Sequence, residues 1–275
     1  MTTQTRRVVR ITRGMPAEDG AGVKLTRLVG TPELPDLDPM LMLDTFRSDN
    51  PKDYIAGFPP HPHRGFETVS YMLKGRMQHK DNKGGEGLIT DGGVQWMTAG
   101  KGVVHSEMPA QTDGGMFGFQ LWLNLPATEK MTAPWYRDIG ESEIPVVTRA
   151  DGTKIKLIAG ELDGTRGPGP DRATAPLIAD VTATGAFSLE IPDGHNVFLY
   201  VIEGSGTLGA EHKAIAQGDL AILSDRGALA GEGSVRFLLV AGKPLREPIA
   251  KYGPFVMNTQ DQLRQAINDY QRGLF

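Results

Sequence analysis

Apolar and polar residues alternate along most of the chain in short runs cut by glycine and proline, and only one stretch, near the end, keeps a helical spacing. Side chains on a strand point to opposite faces in turn, so alternation between turn residues predicts half-buried β-structure. Residues 8–11 and 23–29 read as strands on this ground. Pro32, Pro35 and Pro39 refuse a central ladder position and predict an irregular loop; residues 40–44 then form a buried strand. From Glu67 the pattern is strand, Lys74-Gly75 turn, strand, loop over 83–87, strand, Asp91-Gly92 turn, strand, and Asp-Gly between alternating runs is a strong hairpin signal. Residues 117–125 carry a large apolar side chain at every odd position, which predicts that the odd face packs into a barrel core.

Residues 126–145 are a polar, proline-bearing connection. The domain boundary is placed inside it, giving domains 1–137 and 141–275. Strands resume at 154–160, and a loop follows over 164–175. Further strands are predicted at 187–192, 196–206 and 217–223, with turns at Glu203-Gly204 and Gly218-Asp219. This order echoes the first half, so a second barrel by duplication is expected. At the end Thr259 and Gln262 have capping-box spacing, Leu263, Ala266, Ile267 and Tyr270 share one helical face, and Gly273 supplies a stop. One side of that helix must be covered by a barrel.

Composition narrows the class. The 35 Gly and 19 Pro are spread through the chain, as in a protein of short strands and turns. A length of 275 residues suits two domains of about 130 residues each. A net charge of -4 and a pI near 5.9 leave no electrostatic footprint for nucleic acid. The absence of Cys excludes a disulfide framework, points to a reducing compartment, and requires any metal ligand to be N or O. No apolar run is long enough to span a bilayer, and the polar opening at residues 2–7 lacks the apolar stretch of a signal peptide. A soluble, cytoplasmic monomer without membrane contact is expected.

Candidate chemistry lies between residues 57 and 107, in His61-Pro62-His63 and His105-Ser106-Glu107. Residues two apart on a strand face the same way, so each tripeptide presents two ligating groups to one side. If the two strands are neighbours, three imidazoles and one carboxylate converge on a transition-metal site with room for water or substrate. Three of the chain's 6 His fall in these tripeptides, which favours the metal reading. His79, in the polar stretch 78–82, is expected at a solvated hairpin end. His195 and His212 stand alone and are expected to be structural or solvated, leaving the second barrel metal-free.

Gly57 before the first cluster, Glu67 after it, Gly75, and then Gly93, Gly100 and Gly102 leading into His105 resemble the paired motifs of cupins. Gly100 stands where cupins usually carry proline, and Glu107 adds a carboxylate. Those departures, with the runs 58–71, 95–100, 105–109, 121–125 and 253–259, resemble pirins over nearly the whole chain. The resemblance implies an all-β fold of two cupin barrels (double-stranded β-helix, jelly-roll-like) and a short C-terminal α-helix whose tail helps join the domains. It implies the ligands His61, His63, His105 and Glu107, and Fe(II) first among metals; the donor set also suits Zn, Mn, Ni or Cu. A catalytic role is expected for Glu107, as acceptor of a proton from a substrate hydroxyl. The resemblance leaves three functions open: a dioxygenase opening flavonols such as quercetin, a small aromatic chelating substrate, with O₂; a metal-dependent regulator docking on a transcription factor or metabolic enzyme; or a cupin acting as isomerase or hydrolase on another chelating metabolite. Phe58, Phe66, Trp96, Met97 and Met108 are candidate pocket walls. Glu67 is expected to support a ligand, Arg64 to neutralise Glu67 or Glu107, and Lys101 to sit at the rim or in a solvated turn.

Overall fold

The computed structural model describes residues 4–275; Thr2 and Thr3 of the polar opening lie outside the described residues. Among the described residues the chain is all-β apart from short 3-10 turns and one α-helix, and it forms two compact units. One unit contains Met15–Glu141 and Leu245–Phe275, the other the N-terminal residues up to Gly14 with Ser142–Pro244. The chain therefore crosses within the polar connection, but the units are not the sequence halves 1–137 and 141–275, because each takes a terminal segment from the opposite end. Alternation marks a strand without naming the edge on which it pairs. The strand expected at 8–11, Val8–Arg13, pairs antiparallel with Asp219–Leu223.

In the first unit a seven-stranded antiparallel sheet runs in the order Trp135–Ile139, Val94–Thr98, Phe66–Lys74, Met116–Asn124, Met40–Ser48, Val23–Val29 and Met15–Asp19. A four-stranded sheet faces it, in the order Phe58–His63, Val103–Pro109, Met77–Asp81 and Glu86–Ile89. Leu25, Phe46 and Met72 of the larger sheet share a buried cluster with Met77 and Ile89 of the smaller. Two sheets packed face to face through apolar inner faces are the sandwich solution to burying half-apolar strands. In Met116–Asn124 the odd residues Phe119, Leu121 and Leu123 are buried as expected, but it is the even face that enters the space between the sheets, through Gln120 and Trp122. Both faces of this central strand are covered.

The second unit is an eight-stranded sheet built around the long strands Leu177–Leu189, Asn196–Leu208 and Leu229–Gly242, with a short separate pair, Glu161–Leu162 and Thr165–Arg166. Its inward residues, among them Leu157, Val181, Leu199, Phe237 and Leu239, form a continuous apolar core. Glu203-Gly204, expected as a turn, is instead a bulge inside Asn196–Leu208, where the register to Leu229–Gly242 shifts and Gly204 takes φ 79°. The positive φ lets one strand bend without ending. The buried Arg6 guanidinium donates to the carbonyls of Gly227, Ile191 and Pro192 at 2.8, 3.2 and 2.9 Å, tying the N-terminal segment to this unit.

The C-terminal segment belongs to the unit that carries His61, His63 and His105. Arg64 and Val256 exchange a backbone bond, Val256 N–H donating to the Arg64 carbonyl at 3.0 Å. Helix Gln260–Gln271 has the expected capping box, with Leu263 and Ala266 buried against Phe255 and Phe275. Tyr270, on the expected apolar face, is 41 % exposed.

Candidate metal centre

The strands carrying the two tripeptides are antiparallel neighbours, with His105 directly opposite His61 and Val103 opposite His63. Period-two alternation then puts all three imidazoles on the inner face. Their ring centroids lie 4.6 Å (His61–His63), 4.5 Å (His61–His105) and 5.0 Å (His63–His105) apart, and one ring nitrogen from each falls within 4.8 Å of the other two. Between His105 and Glu107 the register slips by one residue, a bulge of the kind that re-aims a side chain.

The ring nitrogens are disposed as a metal would need them. His61 Nδ1 donates to the Pro59 carbonyl at 2.8 Å, and because a carbonyl only accepts, the neutral ring keeps a lone pair on Nε2. His63 Nδ1 and both nitrogens of His105 are buried without a hydrogen-bond partner. Such atoms are costly unless something satisfies them, and a divalent cation shared by three lone pairs would do so. Burial first, then the neighbouring imidazoles, holds His63 and His105 well below the ordinary histidine range, so both stay in the neutral, ligating form. The residues present therefore fit a nitrogen-bound first-row metal.

Glu107, 4 % exposed, is held from the opposite sheet. Gln120 Nε2 donates to both carboxylate oxygens, at 3.2 and 3.1 Å, and Ser70 Oγ donates to Oε1 at 3.2 Å. Ser70 and Gln120 are register partners on adjacent strands. The group close enough to share one ion consists of the three His; Glu107 stands beside it, tethered.

A cavity of about 660 Å³ opens over the cluster, lined by His61, His63, Glu107, Gln120, Trp122 and Phe58. Trp122 packs at 4.2 Å on Phe66 and at 5.2 Å, edge-on, on His63. The outer wall is charged: Arg27 donates to Asp44 through Nε at 2.9 Å and Nη2 at 2.7 Å, and Lys251 lies nearby. A depression of similar size in the second unit is lined by Glu161, Asp163, Glu190 and Asp193 and by no His.

Several expected positions differ. His79 is not solvated. It shares the inner face with Met77, is 2 % exposed, pairs with Asp138 at 3.2 Å and stacks on Tyr136 at 5.5 Å. Arg64 reaches neither Glu67 nor Glu107; it pairs with Asp269 at 2.8 Å, donates to the Lys101 carbonyl at 2.6 Å and stacks on Phe275. Glu67 accepts from Thr98 Oγ1 at 2.6 Å. Of the expected walls Phe58 lines the cavity, whereas Phe66, Trp96 and Met97 are core. Lys101 lies outside the cavity lining. His195 meets the Ala175 carbonyl at 3.2 Å, and His212 sits at a positive φ of 48°.

Comparison with known proteins agrees with this geometry. The family model Pirin matches residues 22–123, and the model Pirin C-terminal cupin domain matches residues 178–275. The chain belongs to the pirin family. Among pirin relatives, a Pseudomonas aeruginosa protein provisionally named a quercetin 2,3-dioxygenase is 49% identical over 99% of both chains. A pirin-like protein of Caulobacter vibrioides is 49% identical over 98% of this chain and 99% of its own. The crystal structure of a quercetin 2,3-dioxygenase from Acinetobacter baumannii superposes with a TM-score of 0.90 at 33% identity, covering 98% of each chain. The fold of this pirin is a pair of cupin domains. Gln120, Ser70 and Trp122 went unnamed in the sequence reading, although Gln120 and Trp122 stand at even positions of a run whose odd positions are apolar. A polar residue at such a position of a doubly covered strand needs a buried partner, and that signal was available.

Proposed function

We propose that this pirin is a metal-dependent dioxygenase that opens flavonols such as quercetin, with Fe(II) the first candidate metal and Zn, Mn, Ni or Cu the others its donor set admits. The observation that carries the reading is a set of three clustered imidazoles beside a tethered carboxylate, open to a cavity within the usual range for small-molecule sites, about 300–1,000 Å³. A closed structural site would leave no such opening. The names of the relatives support the substrate class, and the fold alone does not choose among functions.

In this proposal His61, His63 and His105 hold the metal, with Glu107 as the fourth ligand and the general base. Once bound, the metal supplies Lewis acidity toward adjacent substrate oxygens and a redox centre for O₂. Glu107 takes the proton of a flavonol hydroxyl brought within about 3 Å of its carboxylate. Gln120 and Ser70 fix that carboxylate so that it need not search for the hydroxyl. Phe58 and Trp122 present apolar surface to a planar ring and displace water. The absence of Cys suits a reducing cytoplasm.

The test is O₂ uptake by iron-loaded protein with quercetin. Wild type should consume O₂ in a metal-dependent way. Glu107→Gln, which keeps the shape and one carbonyl oxygen but cannot act as a base at neutral pH, should be at least about a hundredfold slower at equal metal loading. If loaded wild type takes up no O₂ with any flavonol, the enzyme reading fails and a regulator whose metal state controls docking on a protein partner takes its place.

A further inference from the structure

The outer half of the cavity carries a cation that no carboxylate among the described residues neutralises by contact. Lys251, on the short strand Ala250–Tyr252, lines the cavity with its Nζ 5.5 Å from the centre of the Trp122 ring. Its one hydrogen bond among the described residues is a long one, 3.4 Å, to the Leu41 carbonyl. Three carboxylates near it are committed elsewhere. Asp44 is bound bidentately by Arg27, Asp19 meets the same guanidinium at 3.0 Å, and Glu107 is held by Gln120 and Ser70. Asp36 and Asp44 act on Lys251 only through space, Arg27 opposes them, and partial burial together with that guanidinium lowers its pKa.

A solvent-exposed ammonium with no carboxylate in contact, lining the cavity over the face of an indole, is placed to meet an anion. Trp122 spans the interval between Lys251 and His63. A planar ligand chelating at the histidine end and lying along Trp122 would bring its far end to Lys251. We infer that the cavity selects planar aromatic chelators that carry an anionic substituent on the ring remote from the chelating oxygens, and that Lys251 is the residue that reads it. This deepens the dioxygenase proposal by naming the charge class of its substrate; it rests on that reading for the chelating end and not on turnover.

The test is equilibrium binding to Zn-loaded protein, in which no oxidation intervenes. The probes are 3-hydroxyflavone and its carboxylated analogues, substituted in turn at the 4′, 6 and 7 positions. Wild type should bind at least one carboxylate about tenfold more tightly than the neutral parent, the scale of one charge-assisted hydrogen bond, and the advantage should shrink with added salt. Lys251→Met keeps the aliphatic stem and should bring the ratio to about one; Lys251→Arg should retain the preference. The inference is overturned if no carboxylate is preferred by wild type, or if Lys251→Met keeps the preference. A protein that never consumes O₂ with flavonols would remove the dioxygenase reading and leave this affinity ratio intact, so the two failures are separable.

Discussion

His105 is 1 % exposed, and both of its ring nitrogens are buried without a hydrogen-bond partner among the described residues. An unsatisfied buried polar group costs about 1–3 kcal/mol, so metal binding would remove a cost as well as form bonds. His61→Ala and His105→Ala should each take bound metal towards zero while the fold persists, since the apolar cluster between the sheets uses neither residue; metal analysis after gel filtration checks this, and full metal in the double variant would contradict the ligand set. The sign of the pH effect follows from the depressed pKa values of His63 and His105. Below about pH 6.5 the unfolded chain protonates these rings and the folded one does not. The metal-free protein should therefore lose stability as pH falls through that window, and the loss should be smaller in His105→Ala melts. Metal should hold through about pH 6.5 and leave only further down, once acid reaches the depressed range of His63 and His105 and protons compete for the rings. The clustering of His61, His63 and His105 was legible because alternation on two strands needs no knowledge of the rest. His79 was legible by the same rule, since it shares parity with Met77 between the exposed Gln78 and Lys80. Local polarity was the wrong guide.

At the scale of elements, one buried lysine ties the C-terminal segment to two other parts of its unit. Lys130 Nζ donates to the Gly65 carbonyl at 2.8 Å, Asn124 Oδ1 at 2.7 Å and the Val256 carbonyl at 3.1 Å. Gly65, at φ 89°, permits the approach, because a Cβ there would stand 2.0 Å from the Val256 oxygen. Lys130→Met keeps the stem but strands three acceptors, and it should destabilise the protein by about 1–3 kcal/mol. Amide exchange should rise first at residues 254–257. Burial pulls Lys130 down to about 8. Between there and the unfolded value near 10.4 the unfolded chain binds the extra proton, so stability from this residue increases with pH across that interval. The stability gap between wild type and Lys130→Met should accordingly widen from pH 8 to pH 10; a gap that closes would reverse the argument. None of this was readable from residues 126–145, which look like a polar linker. The Trp135–Ile139 strand inside them pairs with Val94–Thr98, and only the tertiary fold reveals that. The terminal helix, by contrast, announced itself through local capping chemistry.

At the scale of the whole molecule, the exchange of terminal segments decides what can fold alone. Two barrels were legible because strand-and-turn grammar repeats; the exchange was not, because pairing edges are a long-range property. Residues 142–244 without the N-terminal segment would leave the outer edge of Asp219–Leu223 bare along the register that Val8–Arg13 occupies. They would also leave the carbonyls of Gly227, Ser224, Ile191 and Pro192 without the Arg6 guanidinium. An unpaired edge strand invites association, and buried acceptors without donors lower stability. A fragment spanning 142–275 should therefore aggregate or melt without cooperativity, although it contains nearly the whole of one sequence half. A synthetic peptide of residues 4–14 added to the 142–244 fragment should restore a cooperative transition in circular dichroism, and the Arg6→Ala peptide should do so less well. If the 142–244 fragment melts cooperatively at the temperature of the intact chain without the peptide, the N-terminal segment is a decoration of that barrel and not one of its strands.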